Sequence, residues 1–374
     1  LTKIDDCAIL NNINQGADMP SDVYFCSMEN KRYKSPLEKI KKLLNKCEIK
    51  KRFQKNELIA VKGHFGEYGN TAFIRPIFLR PVIEILKEMG TKPFLTDTNT
   101  LYAGMRANSV DHLHCSTVNG FNYSTLQIPT IIADGLRGEN SVDFEVNLPL
   151  CKKVKLASDI IHSDGMVCVS HFKAHEISRI GGAIKNLSMG CASRQGKLDM
   201  HSNARPFVKE KNCTSCKKCV SSCQVAAIEA REKAFIRSDI CVGCARCVSI
   251  CPVGAIRIDW NASSDSVQKK MAEYAYGTVT ALKHRVVFVN ILTAISDGCD
   301  CYPGNSAPVT GDIGFLASLD PVAIDRASYD LVIKNCGGED PFGKVYPHID
   351  SQIQFDHAKA IGLGSVEYNF ITLE

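Results

Sequence analysis

At 374 residues the chain is long enough for two or three units of domain size with a buried core, and its 45% hydrophobic and 23% charged residues exclude a disordered chain. No apolar run approaches the roughly 20 residues of a membrane-crossing helix; residues 286–295 are too few and include Asn290 and Thr293. The net charge of +5 sits in one place, since residues 205–262 carry ten Lys or Arg against five Asp or Glu, and an aromatic content of 7% with no recognisable binding module argues against nucleic acid as a partner.

The start, with Asp5, Asp6 and Cys7, does not resemble a signal peptide. Ser35-Pro36-Leu37-Glu38 reads as a capping box with Pro at the first helical position, and Leu37, Ile40, Leu43 and Leu44 continue it as one apolar face. Residues 58–61 read as a buried strand. Phe78, Leu79, Val82, Ile83, Leu86 and Met89 recur at helical spacing, stop at Gly90, and lead into a strand at 92–96. A helix near 105–118 and short strands at 130–133 and 166–170 follow. After a cysteine-rich stretch the alternation resumes. Val267, Met271, Tyr274, Ala275, Thr278 and Leu282 mark a helix face, residues 285–292 a strand, and Asp320-Pro321 the start of a helix that ends at Gly337-Gly338. Alternating strands and helices predict a discontinuous, mainly parallel α/β domain formed by residues 1–204 and 263–374. Residues 205–262 are expected to be a bacterial-ferredoxin-like α+β module plugged into one of its loops, with Arg205 and Ala262 close in space.

That module carries eight of the chain's 18 cysteines in two matching runs, Cys213-x2-Cys216-x2-Cys219-x3-Cys223 and Cys241-x2-Cys244-x2-Cys247-x3-Cys251-Pro252. A loop that returns a thiolate every third residue wraps three corners of an iron-sulfur cube, and the fourth cysteine of each run ligates the other cluster. The expected ligands are Cys213, Cys216, Cys219 and Cys251 for one [4Fe-4S] cluster, and Cys241, Cys244, Cys247 and Cys223 for the second. Paired zinc sites are the alternative, but three cysteines at this spacing crowd a single ion. Ile228 and Ile256, also 28 residues apart, are expected to close the apolar lining of each cluster. Two [4Fe-4S] clusters and ten further cysteines at irregular spacing predict a reducing cytoplasm, in an anaerobe. Lys217, Lys218 and Arg246 inside the cluster loops either steer an acidic redox partner, such as a ferredoxin, flavodoxin or flavoprotein, or offset the charge of the clusters.

Polar residues gather after the strands of the α/β part. Residues 58–61 run into Lys62-Gly63-His64, 92–96 into Asp97, 130–133 into Asp134, 166–170 into His171-Phe172-Lys173-Ala174-His175, and 285–292 into Asp297 and Cys299-Asp300-Cys301. Loops converge at the carboxyl ends of parallel strands, so one concavity lined by these residues is expected there. His64, His171 and His175 are candidate acid/base groups. His171 and His175 would share a face if their segment were helical, as metal ligands do; two loop histidines satisfied by backbone are the alternative. Gly181-Gly182 opening a helix, with Lys185 one turn in, is a candidate clamp for a small anionic substrate. Cys299 and Cys301 read as a redox dithiol or soft-metal pair, or simply as two small buried side chains, and Arg194 stands near enough in sequence to lower the Cys191 thiol pKa.

Several of these stretches together resemble a known family. His64-Phe65-Gly66-Glu67, Pro93 to Tyr102, Ala133-Asp134-Gly135, His171 to His175, Gly181 to Leu187, Lys197 to His201, Cys299-Asp300-Cys301 and Ser318 to Pro321 are similar to the prokaryotic iron-sulfur centre proteins of the domain-of-unknown-function (DUF) 362 family. The resemblance implies a host domain with two [4Fe-4S] clusters and no defined reaction. Gln224 departs from the pattern by replacing the Pro that follows the fourth cysteine. His171 followed by Gly-Gly-x-x-Lys also resembles nickel-pincer lactate racemases, at a different spacing. The expected activity is electron transfer through the clusters to a small substrate or cofactor, making the chain an oxidoreductase and a possible homo-oligomer. The alternatives are a carrier subunit of a larger redox complex and a maturation protein for a metal centre.

Overall fold

The computed structural model describes residues 19–29, 34–102, 104–201, 206–241, 246–258 and 264–373. Cys7, Cys244, Arg205 and Ala262 lie outside them. Eight strands form the central sheet: β1 (Ser21–Ser27), β2 (Leu58–Lys62), β3 (Lys92–Asp97), β4 (Thr130–Ile132), β5 (Gly165–His171), β6 (Val286–Leu292), β7 (Gly314–Ser318) and β8 (Tyr368–Thr372), in the order β8-β1-β7-β6-β5-β2-β3-β4. Only β7 runs against its neighbours; the pairs β6-β5, β5-β2, β2-β3, β3-β4 and β1-β8 are parallel.

Alternation along each strand divides the core into two layers. Met166, Cys168, Phe288 and Leu316 face one apolar layer, built with the helices α4 (Ala183–Ser188), α6 (Ser264–Ala281) and α7 (Pro321–Asn335). Val167, Val169, Val287, Val289 and Phe315 face the other, built with α1 (Pro36–Lys46) and α2 (Arg80–Glu88). All seven residues of β5 and of β6 are buried, as expected of parallel strands covered on both faces.

Local chemistry places the helix starts. The Ser35 hydroxyl accepts from Leu37 N, and the Asp320 carboxylate accepts from Val322 N and Ala323 N at 2.8 and 3.0 Å. Gly337 and Gly338 both have positive φ, and α7 stops just before them. The helix expected from residue 105 begins at Ser109 instead (α3, Ser109–Val118), because Asn108 caps it by accepting from Val110 N and Asp111 N. Strands β1, β7 and β8, and the hairpin Ser141–Glu145 with Lys153–Ala157, were not anticipated. No helix among the described residues is long and apolar enough to cross a membrane.

In the cysteine-rich segment, Pro206–Val208 pairs antiparallel with Ile256–Ile258, so its two ends run side by side. Ile228–Ala230 pairs with Ala234–Ile236 between them. Leu101 and Leu198 of the α/β part join Cys219, Ile228, Cys247, Val248 and Ile256 in one apolar cluster.

Candidate functional site

The carboxyl ends of β2, β3, β5 and β6 deliver a connected network of buried charges. Lys62, with no exposed surface, ends β2 and donates to Asp97 Oδ1 at 2.9 Å, Asn186 Oδ1 at 2.7 Å and the Gly63 carbonyl at 2.6 Å. A buried ammonium persists only when paired in this way. Burial by itself would raise the Asp97 carboxyl, but Lys62, then His112 and His64, outweigh it and hold it well below the usual carboxylate range. Its Oδ2 faces Arg106 Nη1 at 3.7 Å and His112 Nε2 at 3.6 Å, too far for full hydrogen bonds. Arg106 also reaches Glu67 Oε2 at 3.4 Å, Tyr102 Oη at 2.7 Å and His64 Nε2 at 3.0 Å. Burial, then Arg106, lowers the His64 pKa, which favours a neutral ring.

His171 is locked into the framework. Its Nδ1 lies 3.0 Å from both Asp300 carboxylate oxygens, and its Nε2 lies 2.9 Å from the Thr293 carbonyl. Lys173 Nζ meets the same carboxylate at 3.1 Å. His171 and His175 do not share a helix. The chain stays extended, with Lys173–His175 pairing to Arg179–Gly181, because the short hairpin satisfies the backbone that a helix turn would have used. His175 Nδ1 instead meets Ser178 Oγ at 3.0 Å, and its Nε2 lies 3.5 Å from Glu176. Burial pushes the His175 pKa down to about 4, and burial, then His175 and Lys185, pushes His201 to about 3. Burial works against ionisation of Glu176, yet His175 and Lys185 hold its carboxyl at about 2.

Lys185 has a different partner from the one expected. The free N–H groups of the α4 N-terminus are occupied, since the Asp325 carboxylate accepts from Ala183 N at 2.7 Å and Ile184 N at 2.9 Å. Gly182 is required there because a Cβ would stand 2.2 Å from Asp325 Oδ1. The Gly181-Gly182 turn is therefore filled by the protein's own carboxylate and is not open to a substrate anion. Lys185 points to Cys299, with Nζ 3.1 Å from Sγ. The Cys299 pKa is drawn down to about 6, first by the hydrogen bond from the Cys301 thiol and then, against burial, by Lys185 and Lys173. His64 Nε2 lies 3.4 Å from Cys301 Sγ. Cys191 behaves oppositely to expectation: burial pushes its thiol up to about 12, and Arg194 instead turns to the carbonyls of Leu101 and Ala107.

His64, Asp97, His171 and Lys185 thus belong to one linked group. Asp134 stands beside it, accepting from Asn99 N and Asn99 Nδ2, with burial raising its carboxyl and lowering the Lys197 ammonium. Asp297 is only partly buried, and its carbonyl accepts from Tyr346 Oη.

In the cysteine-rich segment, Cys213, Cys216 and Cys219 line one concavity together with Cys251 from the second run. Ala227 N donates to Cys223 Sγ at 3.2 Å, and Ala255 N, 28 residues on, donates to Cys251 Sγ at 3.2 Å. Ile256 lines the same concavity, and Ile228 is buried in the adjoining apolar cluster. Among the described residues, no three or more His, Cys, Asp or Glu side chains gather tightly enough to hold a metal ion.

A family model described as "Domain of unknown function (DUF362)" matches residues 59–330. The chain belongs to the DUF362 family. Nothing among the curated proteins matches it. Among solved structures, this DUF362 chain is similar to the lactate racemase apoprotein from Thermoanaerobacterium thermosaccharolyticum, at 11% identity and a TM-score of 0.38 over 74% of this chain and 52% of that one. It is also similar to a protein from Thermotoga maritima, at 10% identity and a TM-score of 0.36 over 68% of this chain and 50% of that one. The DUF362 chain thus spans about half the length of each, and at these scores the likeness carries no argument about function.

Two functional candidates of this DUF362 protein, Arg106 and Glu176, had no distinct sequence signal. Arg106 lies in a loop outside every strand end, and Glu176 beside a histidine that drew attention first, whereas His201 ends the helix Arg194–His201 (α5) within a stretch the sequence singles out. Arg106, 1% exposed beside Glu67 and Asp97, and the half-buried Glu176 are marked by charge held against burial, which is a tertiary property.

Proposed function

We propose that this protein transfers electrons through two [4Fe-4S] clusters held by residues 205–262 to an acceptor at the strand-end crevice, which would make it an oxidoreductase. The observation that carries the reading is the shared concavity of Cys213, Cys216, Cys219 and Cys251. Crossing of the fourth cysteine to the other run's loop is the ligand pattern of two-cluster ferredoxins. The donor set fits a cube better than an ion. Three thiolates at this spacing crowd a single zinc ion, whereas a cube with its own sulfides spreads its ligands. Cys241, Cys247 and Cys223, with Cys244, would hold the second cluster.

When bound, the clusters supply single electrons. The protein's own contribution is the peptide N–H aimed at Cys223 and at Cys251, which stabilises charge on sulfur. Lys217 and Arg231 are exposed at the concavity, where they would receive an acidic donor such as a ferredoxin or flavodoxin. An acceptor site within the chain is favoured over a pure carrier by the buried charges of the crevice, because Leu101 and Leu198 pack the module against the loop after β3 and the helix that carries Lys197 and His201. Anaerobic reconstitution followed by iron and sulfide assay tests the reading. About eight irons per chain are expected, falling to about four in Cys251→Ser. Zinc bound in the array, with no iron retained, would overturn it.

A further inference from the structure

We propose that Cys299 and Cys301 form a redox dithiol that reduces a low-molecular-weight disulfide at the strand-end crevice, an inference that rests on the electron-transfer reading only for the return of electrons to the pair. Both cysteines lie in the loop that follows β6, and each faces a different functional group: Lys185 Nζ is 3.1 Å from Cys299 Sγ, and His64 Nε2 is 3.4 Å from Cys301 Sγ. The two sulfurs, two residues apart, act on each other, Cys301 drawing the Cys299 thiol down and Cys299 pushing the Cys301 thiol up.

The chain supplies its own controls. Cys47, Cys168 and Cys191 are buried as well, and burial pushes each of their thiols up to about 12. Cys299 is as buried, yet its thiol is drawn down to about 6 by Cys301, Lys185 and Lys173, against burial and Glu176. A thiolate stabilised inside a protein is a nucleophile or a metal ligand. Lys185 Nζ faces the Cys299 sulfur at 3.1 Å, which favours the nucleophile. Access favours a small substrate: Cys299 is 2% exposed, whereas Cys301 is partly exposed between His64 and the exposed Tyr302. A protein disulfide would not reach Cys299.

Cys301 is the sulfur that an incoming disulfide R–S–S–R meets. The Cys301 thiol gives its proton to His64 Nε2, 3.4 Å away, and the resulting thiolate attacks one substrate sulfur; the S–S bond breaks, and RS⁻ leaves and takes up that proton. Cys299, the sulfur that faces Lys185, then attacks Cys301 Sγ as the thiolate, which forms the Cys299–Cys301 disulfide and expels the second RS⁻. Two electrons pass from the protein to the substrate, and two electrons with one proton restore the dithiol.

The test incubates the full-length protein anaerobically with glutathione disulfide, blocks remaining thiols, and maps peptides by mass spectrometry. In the wild type the expected product is a Cys299–Cys301 disulfide with two glutathione molecules released. In Cys299→Ser the reaction should stop at a glutathione adduct on Cys301. Lys185→Met keeps both sulfurs and should slow disulfide formation at pH 7 roughly tenfold. Absence of the Cys299–Cys301 disulfide in the wild type overturns the proposal, whatever the variants do. This stoichiometric reaction uses only the protein's own electrons. Continued consumption of glutathione disulfide with reduced methyl viologen needs the clusters as well, so success in the first assay and failure in the second would leave the dithiol standing and remove the electron-transfer reading.

Discussion

The Asp325 carboxylate reaches from α7 to Ala183 N, 2.7 Å away at the start of α4, and so ties the second half of the chain to the first across the cysteine-rich segment. The same carboxylate accepts from Ile184 N at 2.9 Å and Asn290 Nδ2 at 2.7 Å. Asp325→Ala leaves these buried donors without that acceptor and is expected to cost about 3 kcal/mol of stability. Chemical denaturation of both proteins measures it; a loss under about 1 kcal/mol would mean that the donors find other partners.

Stability should carry a histidine signature in acid. The His175 pKa is about 4 in the folded chain, lowered by burial, against an ordinary value near 6.5 when unfolded. As pH falls from 6.5 toward 4 the unfolded chain takes up a proton that the folded chain refuses, so stability is present above that window and lost on descent through it. The contribution is about 2 kcal/mol between pH 7 and pH 5. Buried Asp325, whose carboxyl burial raises to about 6, has the opposite slope below that pH. The measurement is therefore the difference in pH dependence between wild type and His175→Gln, and equal slopes would show that the ring titrates normally.

Gln224 and Pro252 occupy matching turns, since Ala226 N donates to the Cys223 carbonyl and Gly254 N to the Cys251 carbonyl, both at 3.2 Å. Gln224→Pro should be accommodated and should stabilise the chain by about 0.5–1 kcal/mol by restricting the unfolded state. A loss of iron on this substitution would show that the two turns are not equivalent.

Removing residues 206–261 and bridging the gap with a short Gly/Ser linker should leave a soluble α/β protein that unfolds cooperatively, because the segment's ends pair side by side at Pro206–Val208 and Ile256–Ile258. Leu101 and Leu198 lose their apolar cover in that variant. Replacing both with Gln should therefore reduce its self-association, read by light scattering. A molten remainder, with no cooperative transition, would mean that residues 206–261 belong to the core.

The central strands could be read because both of their faces are buried, which leaves mainly apolar runs at β2, β5 and β6 and the apolar centre of β3. Strand β1, with the pattern Ser-Asp-Val-Tyr-Phe-Cys-Ser, and β8, with Tyr-Asn-Phe-Ile-Thr, were missed because they sit toward one edge and mix polar with apolar residues, so their pairing comes from distant partners. The convergence of His64, Asp97 and His171 was readable for the same reason as the strands, since parallel strands bring their carboxyl ends to one side.

Spacing and local hydrogen bonding were enough to determine where α1 and α7 begin, which strands are central, that the cysteines form two matching arrays, and which loops hold the polar residues. These features depend on neighbours a few residues apart. Only the tertiary structure decided the state of the groups in those loops. Lys185 pairs with a sulfur 114 residues away, the open end of α4 is filled from 142 residues away, and burial pushes the Cys191 thiol up while Cys301 and Lys185 draw that of Cys299 down. The physical reason is that a buried group's charge is set by the few others enclosed with it in the same low-dielectric space, and folding, not sequence adjacency, chooses that company.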